Sequence, residues 1–285
     1  MDAGISVCHA MAMLVQQERG QFKMIARGGR DTEHRTIANR LKSWLKDKPA
    51  SYPKLYMCFG QEVNISQAYP WGWTQNKDTP ADYVAAYQRV AQIYIDALGD
   101  KVRITWNTLR QSGNVTNVWP GARGVGGGVV DFVTLDCYDN GYDNSYFTTS
   151  KAAGVQAWIN GKYNGAAGYA GIKACMQFAE SKGLKFGVQE WAPSRKRNNL
   201  DPGDADYLDP AERNPNNRWY MEGMRDFFAA NAANLEFEIE FNQIREDHLI
   251  QPETEFLPQP SRAYRGLWRV NPLARPSGDN PWPAP

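Results

Sequence analysis

The sequence predicts an α/β fold of the (β/α)8 barrel type, in which strands and helices alternate along one chain. Three observations predict it. The 285 residues match the usual size of such a barrel. Helical and strand-like patterns take turns along most of the chain. The strands finish on polar and aromatic residues, and in this fold the C-terminal strand ends form the active face.

The elements follow in order. ISVCHAMAMLV (5–15) supplies one strand. Residues 33–47 place Ile37, Leu41, Trp44 and Leu45 on one face at helical spacing. KLYMCFGQEV (54–63) is apolar, follows Pro53 and reads as a buried strand. Thr79-Pro80-Ala81-Asp82 is a helix start, with Thr as cap, Pro at the first position and an acid three residues after the cap. Val84, Tyr87, Val90, Ala91, Tyr94 and Leu98 continue that stripe, and Gly99 ends it. Strands are then expected at 102–107, 129–139, 185–191 and 235–242, and helices at 168–182 and 218–232. This makes six strands where a closed barrel has eight. Only 53 residues precede Lys54, too few for three βα units, so the first two units of a complete barrel are expected to be missing from this chain. Residues 1–270 read as a single catalytic domain, and the Pro-rich 271–285 as a loose tail.

Composition narrows the function. A net charge of +1 argues against a nucleic-acid or membrane-surface partner. No apolar run is long enough to span a membrane. The start, MDAGISVCHAMAMLV, carries Asp2 and no basic segment, so it does not read as a signal peptide. Cys8, Cys58, Cys137 and Cys175 are too far apart for a zinc knuckle and read as small core residues. His9, His34 and His248 show no metal-binding spacing, and no metal or cofactor is expected. The run GVGGG (124–128) precedes a strand, whereas a dinucleotide loop must follow one, so it reads as a flexible loop. Ten Trp exceed what a core of this size usually needs, and Trp is a common partner of sugar rings.

Two carboxylates stand out. Glu62 and Glu190 lie at the ends of two different strands, where a buried parallel strand is normally apolar. Glu62 precedes Tyr69, Trp71 and Trp73, and Glu190 abuts Trp191. Two acids beside aromatic rings suit glycosidic bond cleavage. For Glu236, Glu238 and Glu240, pairing with a basic partner is as good a reading as function.

Four segments resemble the retaining β-glycosidases of clan A, most closely glycoside hydrolase family 26, known chiefly for endo-β-1,4-mannanases. ARGGRDTEHRTIANRLKSW (26–44) resembles the family's Gly-x-x-Asp approach to the helix before the fourth strand. GQEVNISQAYPWGW (60–73) resembles its acid/base segment. VDFVTLDCYDN (130–140) resembles its sixth strand and GLKFGVQEWAP (183–193) its seventh. The resemblance implies that Glu62 is the general acid/base and Glu190 the nucleophile. It implies that Tyr138 hydrogen-bonds Glu190 and that Trp71 is a sugar platform. Gln61, Asn64, Trp106 and Trp191 are further candidates for substrate contact. The family's His before the acid/base is Gln61 here, and the segment between Asn64 and Tyr69 is one residue longer.

The function implied is a retaining endo-β-glycosidase acting on polysaccharide or oligosaccharide, with a mannan-type substrate. It is expected to be a monomer, to need no cofactor, and, by family resemblance, to be secreted. Retention requires the two carboxyls about 5–5.5 Å apart. A retaining β-glucanase or β-xylanase of the same clan, a non-catalytic carbohydrate-binding barrel, and an unrelated α/β enzyme remain as alternatives. The presence of both Glu62 and Glu190 argues against the binding barrel, while Gln61 and the short N-terminus keep it open.

Overall fold

The computed structural model describes residues 7–64, 70–73, 78–109, 115–138, 151–165, 171–192 and 218–240. Six strands hydrogen-bond in chain order: β1 (Val7–Met11), β2 (Leu55–Phe59), β3 (Val102–Leu109), β4 (Phe132–Tyr138), β5 (Lys185–Ala192) and β6 (Leu235–Glu240). The sheet is parallel, with helices between strands, and among the described residues it holds the six strands the sequence predicts. Asp139–Asp143 and the tail from residue 241 onward, including the expected Pro-rich end, lie outside the described residues.

The chain groups into two compact units. The first comprises Met1–Leu135 and Cys175–Phe186. It holds α1 (Phe22–Ala26), α2 (Asp31–Lys46) and α3 (Pro80–Leu98). β1 pairs with β2 from Val7 opposite Leu55 to Met11 opposite Phe59, and β2 pairs with β3 from Leu55 opposite Val102. Helix α3 begins with the expected capping box: the Thr79 hydroxyl accepts from the Asp82 amide at 3.2 Å, and Asp82 accepts from the Thr79 amide at 3.0 Å. It ends at Gly99, whose φ of 56° is one that glycine takes readily. Tyr83, Tyr87, Val90, Tyr94 and Leu98 recur every three or four residues and are all buried.

Helices α1 and α2 are tied to α3 by Arg89. Its guanidinium donates to both Asp31 oxygens, at 2.7 and 2.8 Å, in a planar two-point pair. Gly28 makes room for it, since a Cβ there would sit 2.7 Å from the Arg89 Nη2. The Gly-x-x-Asp spacing of this segment thus has a local cause: both residues serve one arginine.

The second unit comprises Asp136–Ala174 and Gly187–Pro285. It holds α4 (Lys151–Trp158), which runs directly into a π-helical turn (Ile159–Tyr163), and α6 (Arg218–Ala230). Neither α4 nor the turn is predicted from sequence, because KAAGVQAW has a central Gly154 and no clear apolar stripe. Trp158 stacks on Tyr163 at 5.9 Å and 20°. Residues five apart face each other in a π-turn but not in an α-helix. Gly223 of α6 receives the Trp158 ring, which a Cβ there would meet at 2.8 Å. Helix α5 (Ile172–Ser181) leads into β5.

Strand β2 is shorter than the predicted 54–63. It stops at Phe59, because Gly60 takes φ 98° and Glu62 takes φ 49°. Both are left-handed values that no strand accommodates. Among the described residues no helix is long and apolar enough to cross a membrane.

Candidate active site

The candidate residues fall into two groups, and the first lies in the first unit, in the turn after β2. The register that pairs Cys58 with Thr105 brings this turn level with Asn107 of β3. The Asn107 side chain accepts from the Glu62 amide at 2.5 Å, and its backbone carbonyl accepts from the Val63 amide at 3.3 Å. The Val63 carbonyl in turn accepts from the Trp73 amide at 2.9 Å. Asn107 is wholly buried, so these bonds are made out of water and fix the loop firmly.

Glu62 is buried, at 7% exposure, and is the sole non-glycine with positive φ among the described residues. A left-handed glutamate costs roughly 1–2 kcal/mol. Such strain persists where the surroundings over-determine it, and it concentrates at functional sites. Trp71 closes the loop from above. Its indole Nε1 donates to the Gln61 carbonyl at 2.7 Å, and the ring lies against Gly60, where a Cβ would come within 2.5 Å of it. Trp71, Gln61 and Asn64 are all half-buried. The segment 65–69, with Tyr69 and the extra residue, lies outside the described residues.

The second group is described by itself, in the second unit, at the ends of β4 and β5. The Tyr138 hydroxyl donates to Glu190 Oε2, the contact that the resemblance implies. Burial pushes the Glu190 carboxyl up, and the Tyr138 hydrogen bond pulls it part of the way back. Two further groups hold the end of β4. The Tyr220 hydroxyl of α6 donates to the Cys137 carbonyl, and Lys162 of the π-turn donates to the Tyr138 carbonyl at 2.8 Å.

Trp106 and Trp191 are corrections. Both indoles are fully buried and offer no open face to a sugar. Trp106 packs against Trp119 at 5.2 Å and Phe178 at 6.0 Å. Trp191 packs against Tyr220 and Phe228 of α6, and its Nε1 donates to Glu238 at 2.5 Å. The cause is strand alternation: successive side chains point to opposite faces. If Asn107 faces the Glu62 loop, Trp106 cannot. If Glu190 meets Tyr138, Trp191 must turn toward α6. The same alternation, applied to the sequence, singles out Asn107, which the search for aromatic neighbours passes over. Lys162 carried no such signal, because a lysine in WINGKYNG reads as a surface residue.

Among the described residues no group of His, Cys, Asp and Glu is arranged to hold a metal ion.

No protein-family model and no curated protein sequence matches the chain. Its fold matches solved structures. A family 26 β-mannanase from Bacteroides ovatus superposes with a TM-score of 0.51 at 11% identity, over 90% of this chain and 63% of that one. A modular endo-β-1,4-mannanase from Cellulomonas fimi superposes with a TM-score of 0.52 at 15% identity, over 86% of this chain and 48% of that one. The chain thus spans between about half and two thirds of the length of these structures. Identity this low carries the architecture and not the chemistry. The chain is an α/β protein whose fold resembles that of the family 26 glycoside hydrolases of clan A.

Proposed function

We propose that the chain is a glycoside hydrolase that cleaves β-linked polysaccharide by retaining double displacement, with a mannan-type substrate. Glu190 is the nucleophile, Glu62 the general acid/base, and Tyr138 the group that holds Glu190 for attack. The observation that carries this reading is the half-buried Glu190 carboxyl with the Tyr138 hydroxyl on one of its oxygens. One oxygen of the carboxylate is thereby fixed and the other is left to form the bond to carbon.

In the first step Glu190 attacks the anomeric carbon while Glu62 gives its proton to the departing glycosidic oxygen. In the second, Glu62 takes a proton from water, and the hydroxide releases the sugar from Glu190 with net retention. No cofactor enters this chemistry. Trp71, at the rim of the Glu62 loop, is the candidate sugar platform.

The test is hydrolysis of a glycan panel covering β-mannan, β-glucan and β-xylan, with the product anomer followed by NMR. Cleavage of mannan with β-product formed first supports the full reading. Cleavage of glucan or xylan moves the substrate within the clan. Inverted product refutes the double displacement. Binding without cleavage points instead to a carbohydrate-binding barrel.

A further inference from the structure

We infer that Lys162, carried by the π-turn Ile159–Tyr163, is a positioning residue: it fixes the Tyr138 carbonyl at the end of β4 and, through Tyr138, the hydrogen bond to Glu190. The catalytic consequence rests on the reading of Glu190 as nucleophile. The structural consequence does not.

Lys162 is buried, at 3% exposure. Lysine is almost never fully buried unless its ammonium is matched by a partner. A methionine or leucine would fill the same space without the desolvation. The ammonium is therefore held for the bonds it makes, and one of these is to the Tyr138 carbonyl at 2.8 Å. That carbonyl belongs to the last residue of β4, the one whose phenol reaches Glu190. A charged donor makes a stronger hydrogen bond than a neutral one, so this clamp is stiff.

The π-turn is the second observation, and it stands apart from the first. A helix that continued regularly from α4 would not stack Trp158 on Tyr163. The wider turn does, and its closing bond runs from the Asn164 amide to the Ile159 carbonyl at 2.9 Å. It is seated on both sides. Trp158 lies on Gly223, and Gly171 lies so close to the Tyr163 carbonyl that a Cβ would come within 2.1 Å of it. Single π-turns inside helices are uncommon and recur at functional sites. Here the turn sets the direction of Lys162, its fourth residue.

The third observation concerns how Lys162 acts. Burial raises the Glu190 carboxyl and the Tyr138 hydrogen bond lowers it, and Lys162 meets this pair at the Tyr138 carbonyl. Its effect on Glu190 is thus transmitted by geometry. The neighbouring strand residue is treated in the same manner, since Tyr220 holds the Cys137 carbonyl. Two consecutive carbonyls are gripped, one from the π-turn and one from α6, and the end of β4 has little freedom left.

The test uses the whole chain labelled with 13C at the glutamate carboxyls, with the Glu190 signal assigned by its loss in Glu190→Gln. Lys162→Met removes the donor and keeps the stem, and Lys162→Arg restores a charged donor. In Lys162→Met the Glu190 titration should move to higher pH, because a loosened Tyr138 bond no longer favours the ionised carboxylate. In Lys162→Arg it should return toward the wild-type position. On a cleaved glycoside, kcat should fall about tenfold in Lys162→Met with little change in KM, as expected for a misplaced reacting group. An unmoved Glu190 titration in folded Lys162→Met overturns the inference. So does a loss of thermal stability that Lys162→Arg does not repair, with the titration unmoved. If Lys162→Met fails to fold, Lys162→Gln is read by the same titration and decided by the same outcomes. The titration needs no substrate. A wild-type protein that hydrolyses nothing refutes the proposed function and leaves this measurement to decide on Lys162.

Discussion

The strain at Glu62 can be measured by comparing two substitutions that both delete its carboxyl. Glu62→Ala and Glu62→Gly lose the same functional group, so the loss of chemistry and of side-chain hydrogen bonds largely cancels between them. They differ in backbone preference. At φ 49° alanine keeps the left-handed penalty of roughly 1–2 kcal/mol and glycine does not. Against this, glycine has more freedom to lose from the unfolded chain, worth about 0.4–1 kcal/mol. Taken at the middle of each range, the balance favours glycine by about 0.8 kcal/mol. For a chain of this size that is a Tm higher by about 1–4 °C in Glu62→Gly than in Glu62→Ala. Thermal unfolding by circular dichroism, or urea midpoints at equal m, reads the difference directly. It inverts the order found in helix or strand interiors, where alanine is the more stable. Equal stability, or a more stable alanine variant, would mean that Glu62 is not held in a left-handed conformation, and the strain argument for its function would fall.

Further outcomes test other parts of the reasoning. Trp106→Ala should lose about 3–5 kcal/mol in urea unfolding, since it empties a core site, and a loss under 1 kcal/mol would return Trp106 to the candidates for sugar contact. Tyr138→Phe removes the bond that lowers the Glu190 pKa, so the folded pKa rises and the acid limb of kcat/KM moves to higher pH; an unmoved limb would mean that the bond does not act on the nucleophile. Glu190→Ala should abolish hydrolysis, with azide restoring part of it and yielding inverted product; retained activity would remove Glu190 from its role. His34 bonds Tyr94 at 3.2 Å in the core, and burial holds its imidazole below the ordinary value of 6.5. The unfolded chain therefore takes up a proton first, and stability falls as pH drops from 6.5 toward the folded pKa, by at most about 1.4 kcal/mol per pH unit. His34→Gln should flatten that slope, as read by urea midpoints between pH 7 and 5.

Sequence alone reached the elements whose own residues determine them. Helix α3 is written in Thr79, Pro80, Asp82 and Gly99, all within its length, and its bounds are nearly those predicted. The six strands were legible because apolar runs between helical stripes have few other readings. What stayed hidden depends on residues far apart in sequence. Strand β2 reads through to Val63 because nothing local says that Asn107 takes over the backbone of Glu62 and Val63. The π-turn is set by Gly171 and Gly223 around it, not by the composition of α4. Trp106 and Trp191 were misdirected for a different reason. Trp191 adjoins Glu190 and Trp106 ends a strand, yet the two-residue alternation of a strand turns each away from its neighbour's face.

The hold of Asn107 on the Glu62 loop bears on how this loop could be moved between proteins. In sequence the loop looks portable, a short run from Gly60 to Asn64 with its glycine, carboxylate and turn together. Its anchor lies 45 residues further on, on another strand. A chimera that transplants 60–64 alone would carry the glutamate without the amide that holds its backbone, and the graft would relax out of the left-handed turn. The smallest transferable piece is discontinuous: the loop, Trp71 above it and Asn107 beside it, set at the β2–β3 register that brings them level.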